Sequence, residues 1–98
     1  MITLKLKDIL KFIDSKCLLA IFMPGDKFPM IVFWGRKEEV MLAPSDFPME
    51  SLMDTQIVGM RAEMTMNWAK TYINITILHN EEVSKWQLRR LSGQDEQE

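Results

Sequence analysis

The chain has 98 residues, enough for one domain with one core. Hydrophobic residues make up 47%, charged residues 27%, and the formal net charge is −2. That is the balance of an ordinary folded chain, and it excludes a nucleic-acid mimic or a domain drawn to phosphate by bulk charge. Cys17 is the only cysteine, which excludes an internal disulfide and a thiolate zinc cluster.

Those limits lead to an expectation of a cytoplasmic protein. The N-terminus does not read as a secretory signal, and no apolar run approaches the span of a bilayer. Residues 1–93 read as a single domain and 94–98 as a disordered acidic tail.

Leu6, Ile9, Leu10 and Ile13 fall at i, i+3, i+4 and i+7, with Lys5, Lys7, Asp8, Lys11 and Asp14 opposite. The spacing predicts a helix over about 4–14 with Thr3 placed to cap it. A short strand at residues 1–5 followed by a later helix is the competing reading. Cys17–Met23 and Phe28–Trp34 are apolar runs around Pro24-Gly25-Asp26-Lys27, a hairpin signal in which proline presets φ and glycine accepts positive φ. Pro29 has no N–H and belongs at a strand start or on an edge. Met30–Trp34 does not alternate, which fits burial on both faces or a hydrophobic surface. Cys17 reads as a small buried apolar residue, not a nucleophile.

Gly35 breaks the pattern, Arg36–Glu39 is a solvated charge cluster, and Val40–Leu42 is a candidate short strand. Residues 43–48 form a proline-bearing loop, with Ser45 or Asp46 placed to cap one helical turn at Met49–Met53. In Ile57–Met64, Val58, Met60, Ala62 and Met64 alternate with Ile57, Gly59, Arg61 and Glu63, which predicts a strand; Gly59 suggests a bulge. Thr65–Ala69 connects it to Lys70–His79, where Ile73, Ile75 and Ile77 alternate with Tyr72, Asn74 and Thr76. Period two and β-branching make this the clearest strand in the chain, with the isoleucines on the core. Asn80 then caps a helix with Glu81 and Glu82 at its positive end and Arg89 and Arg90 at its negative end. The resulting expectation is an α+β fold: an N-terminal helix packed on an antiparallel sheet of four or five strands, plus a C-terminal helix.

The chemistry is sparse. His79 is the single histidine and reads as a surface or capping residue; no metal-ligand spacing, phosphate loop or nucleophile elbow is present. No catalytic residue, cofactor or metal is therefore assigned, and the expectation is a non-enzyme. Nine methionines and three tryptophans are the distinctive feature. Methionine fills irregular cores and also makes adaptable contact surfaces. Trp34, Met64, Met66, Trp68 and Trp86 are the candidate partner contacts. Trp68, in a connection, either folds back on the sheet or meets a partner. Lys85, Arg89 and Arg90 form a short basic helix face, the candidate residues for an alternative reading as a nucleic-acid-binding module. Self-association stays open.

The order of parts resembles the small accessory proteins of phages, prophages and mobile elements of Gram-positive bacteria. The resemblance is carried by Leu6-Lys-Asp-Ile-Leu-Lys-Phe-Ile-Asp14, the Trp34-Gly35 step, Asp54-Thr-Gln-Ile-Val-Gly-Met-Arg-Ala62 and Tyr72-Ile-Asn-Ile-Thr-Ile77. It spans residues 4–79 and implies a non-enzymatic interaction factor, of the kind that includes anti-defence and anti-CRISPR proteins. It transfers no site residue.

Overall fold

The computed structural model describes residues 3–64 and 71–93. The chain runs α1 (Leu6–Leu10), β1 (Leu18–Met23), β2 (Met30–Arg36), a 3-10 helix (Lys37–Leu42), α2 (Met49–Met53), β3 (Ile57–Met64), β4 (Thr71–Ile77) and α3 (Glu81–Gly93). The four strands form one sheet in the order β2-β1-β4-β3. The α+β class, the four strands and the helices at either end match the sequence. The sheet, however, is mixed: the two hairpins are antiparallel, but β1 and β4 lie side by side in parallel, Leu19 beside Ile73 and Ile21 beside Ile75.

One face of the sheet carries the core. Leu19, Ile21 and Met23 from β1 join Ile75 and Ile77 from β4. Leu6 and Leu10 of α1, Val40, Leu52 of α2 and Val83 of α3 close over them. Each fully buried side chain of this size contributes about 1.5–3 kcal/mol. Every helix therefore packs on the same face.

Several local expectations change. α1 is shorter than the stripe suggests, because its end tightens into i→i−3 bonds from the Phe12 and Ile13 amides. Its start is held by Asp8, whose carboxylate accepts the Lys5 amide at 3.1 Å, and Thr3 is not the cap. Leu4 to Leu6 instead pair with β3's approach: the Ile57 amide donates to the Leu4 carbonyl and the Leu6 amide to that of Thr55. Of the competing reading, a short strand at residues 1–5, the described residues show a single bridge at Lys5 and no strand; residues 1 and 2 lie outside them. Val40–Leu42 is helical, not a strand, because the chain must climb from β2 onto the core face and bury Val40 there. Gly35 lies within β2 at φ +154°, where a Cβ would stand 2.7 Å from the Glu39 carboxylate that accepts the Arg36 amide. Pro48 stands at the N-cap of α2, with no side-chain cap from Ser45 or Asp46.

Asn80 caps α3 as expected and does more. Its Oδ1 accepts the Val83 amide at 3.0 Å. Its Nδ2 donates to Thr55 Oγ1 at 2.6 Å and to the Ser51 carbonyl at 3.1 Å. One buried amide thereby ties the start of α3 to the end of α2.

On the surface, Asp54 accepts Lys5 Nζ at 2.9 Å, and Lys7 Nζ stands 3.4 Å away. The hydrogen bond from Lys5 is the first cause holding the Asp54 carboxyl below its ordinary value; the same bond raises Lys5.

Three expectations follow. Ile75→Asp, which places a carboxylate in the core, leaves the chain without a cooperative thermal transition; a wild-type melting temperature would refute the core. Asn80→Ala lowers stability in urea titration by about 2–4 kcal/mol, and Asn80→Asp recovers only part, since a carboxylate keeps the cap but cannot donate to Ser51 and Thr55. Asp54 is lowered on folding, so its contribution is present above the ordinary carboxylate range and is lost as pH falls through its lowered folded value. The gap in melting temperature between wild type and Asp54→Asn therefore closes on acidification. It also closes at high pH, as Lys5 loses its proton above the ordinary lysine range.

Candidate binding face of the sheet

The helices leave the second face of the sheet uncovered by any described element. Strand pairing fixes what that face carries: Leu18, Ala20 and Phe22 from β1, with Tyr72, Asn74 and Thr76 beside them on β4. On β2, Trp34 lies opposite Ala20 and Ile31 opposite Phe22. On β3, Arg61 lies opposite Asn74 and Glu63 opposite Tyr72.

Trp34 and Tyr72 belong to strands on either side of β1, yet their rings meet edge to face, with centroids 4.9 Å apart and planes at 78°. Ala20 between them is only 1% exposed. A small residue on the middle strand lets the flanking rings close over it, a preferred geometry for aromatic pairs. The Trp34 ring is not itself covered, at 49% exposed, and Ile31, further along β2, is 50% exposed, while Tyr72 is half-buried. This resolves the non-alternating run in β2. It is a hydrophobic surface, with a bulge in the β1–β2 ladder at Val32 that turns Val32 and Phe33 toward the core.

Next to this pad an open groove of about 570 Å³ runs between Phe22, Pro24 and Pro29 on one side and Gly59 and Arg61 on the other, with Asn74 and Thr76 as its floor. Gly59 borders it, and a Cβ there would make only an ordinary contact with Thr76 Cβ, at 3.9 Å. Arg61 is paired with Glu63 along the same strand. At the other end of the face, Lys16, Cys17, Arg36 and Tyr72 border a second shallow groove of about 540 Å³. Arg36 is engaged by Glu38 and Glu39, and Cys17 is partly buried just ahead of β1.

The residues singled out from sequence do not gather in one place. Trp34 lies on the open face. Met64 is exposed at the end of β3. Trp86 is on the helical side, edge to face with Phe47 at 4.8 Å, and with it borders an apolar crevice of about 220 Å³. Met66 and Trp68 lie outside the described residues. Of the basic set on α3, Lys85 and Arg89 are exposed one turn apart, while the Arg90 guanidinium sits 5.1 Å from the Trp86 ring centre. His79 is an exposed residue beside Glu81 and the Pro24 carbonyl, each at 3.3 Å. Among the described residues no group of histidine, cysteine and carboxylates is arranged to hold a metal, and no helix is long and apolar enough to cross a membrane.

Tyr72, Ile31, Phe22 and Arg61 are the members of the face that sequence reading missed. The polar side of the isoleucine strand was the available signal for Tyr72. The fold and this surface define a small α+β domain with one helical face and one bare, partly aromatic sheet face. Comparison with protein-family models, with curated proteins and with solved structures finds no match to this chain.

Proposed function

We propose that the chain is a non-enzymatic protein-interaction factor that docks a folded protein partner on the open face of its sheet, centred on Trp34 and Tyr72. The observation that supports this is the uncovered aromatic pad itself, two rings held in one geometry by the sheet beneath them. Tryptophan and tyrosine dominate interface energies because they bury a large area at little cost in side-chain freedom. The adjoining groove and Arg61 add shape and a polar rim.

The resemblance to accessory proteins of phages and mobile elements extends the proposal. Within that reading the partner is a host defence protein, such as a CRISPR nuclease, and the domain works by occupying it. Nucleic-acid binding through Lys85, Arg89 and Arg90 is the competing reading. It has less support, since Arg90 is committed to Trp86 and the net charge is −2. Binding to phosphate would weaken steeply with salt, whereas an apolar contact would not.

Trp34→Ala is the deciving variant in a titration against a partner captured by the wild-type protein from its host. It should cost about 2 kcal/mol of binding. Its thermal melt should stay near wild type, because the ring is half exposed. Unchanged affinity, or a stability loss of about 3–5 kcal/mol as for a core tryptophan, would remove the face as the contact site.

A further inference from the structure

The sheet has two edges, and they are built differently. β2 is protected. Pro29 precedes it, a bulge interrupts its ladder, and Gln87 of α3 donates to the Ile31 carbonyl at 2.9 Å. Each of these is a known means of blunting an edge. β3 is the longest strand, at eight residues, and contains no proline. Among the described residues its outer side is used only at its start, by the bridge between Lys5 and Gln56 and the bond from the Ile57 amide to Leu4. Beyond that, Met60–Met64 has no strand on its outer side among the described residues.

The side chains of this free run are patterned. Met60, Ala62 and Met64 lie on the helical face of the sheet, opposite Ile75, Ile73 and Thr71 of β4. They are not covered there: Met60 is 52% and Met64 64% exposed. Arg61 and Glu63 lie on the other face. We infer that β3 pairs antiparallel with β3 of a second copy of this chain, about a twofold axis through Ala62.

That register alone satisfies every residue of the run. It sets Arg61 against the partner's Glu63 and Glu63 against the partner's Arg61. On the opposite face it sets Met60 against the partner's Met64, and the small Ala62 against its own copy at the axis. Moving the axis to Arg61 or to Glu63 places a charge against its own copy. Moving it by half a step places alanine or methionine against a charge. Opposite charges and apolar pairs directly across strands stabilise a ladder, and like charges there oppose it. The arrangement is isologous, so it closes at two copies and does not propagate. It produces one continuous sheet of eight strands with all helices on one side and both Trp34–Tyr72 pads on the other. The inference stands on the β3 edge and shares only Arg61, at the rim of the groove, with the proposed function.

The test is the molar mass of the full chain by sedimentation across a concentration series, for wild type, Arg61→Glu and Glu63→Arg. Wild type should pass from monomer to dimer. Each single variant sets like charges opposite each other and should weaken the dimer by roughly tenfold or more. An equimolar mixture of the two variants should recover it, because glutamates at 61 and 63 of one chain then face arginines at both positions of the other. Recovery in trans cannot come from the pairing of Arg61 and Glu63 within one chain. A wild type that stays monomeric at its highest soluble concentration, variants that dimerise as well as wild type, or a mixture that stays monomeric would each overturn the inference. Circular dichroism establishes that each variant is folded. Hydrogen exchange on the wild type needs no variant: amides of Met60–Met64 should gain protection with concentration, and a gain confined to β2 would overturn the assignment.

Discussion

β1 and β4 run side by side in the same direction, and two parallel neighbours cannot be joined by a turn. The chain between the two hairpins has to leave the sheet, cross one face and return. The 3-10 helix and α2 are that crossing, and Val40 and Leu52 are buried because the crossing passes over Ile21 and Ile75. α1 and α3, which enter and leave the same central pair, close the remaining gaps on that side. All helical material is thereby committed to one face. The bare second face is a direct result, since a chain of this length has no further element among its described residues to cover it.

The layer of short helices has little stability of its own. α1 and α2 are five residues each, far below the length at which an isolated helix persists in water. Leu6, Leu10 and Leu52 hold them by burial, and polar contacts fix how they meet. Asn80 is the important one. Among the described residues it is the buried polar one, and its amide is satisfied on both sides, by the first turn of α3 and by Ser51 and Thr55. A side chain of this kind costs free energy unless every partner is in place, so it selects one arrangement of α2 against α3 and rejects its neighbours. The Lys5–Asp54 pair does the same work more weakly in solvent, where screening reduces what an ion pair contributes.

What was legible in the sequence was local. The alternation of Ile73, Ile75 and Ile77 needs only β4 itself, and Asn80 signals α3 through its own cap. The pairing of β1 with β4 depends on residues more than fifty positions apart, and nothing in either strand states its direction. The two short helices of the crossing span one or two turns each, too little for a periodic stripe, and an all-antiparallel sheet was the simpler expectation. A bulge at Val58 also hid part of the pattern. Simple alternation puts Ile57 and Met60 on opposite faces, but one extra residue places Ile57 beside Ile77 and Met60 beside Ile75, on the same face. Trp34 could be singled out by its size. Its meeting with Tyr72 could not, because that contact exists only once a strand bearing Ala20 lies between them. Trp86 looked equally available, but Phe47, in a loop far away in sequence, takes one side of its ring.

The parallel central pair also sets the mechanics of the domain. The chain enters β1 at Leu18 and leaves β4 at Ile77, at opposite ends of the same two neighbouring strands. Tension drawn along the chain from both sides slides these strands past one another lengthwise. The hydrogen bonds between them then bear the load together, whereas a hairpin pulled from its open end yields one bond at a time. Once α3 has peeled away, the last unit to give is the strand pair that holds the core. A machine that unfolds proteins by hauling on an end would meet its greatest resistance there.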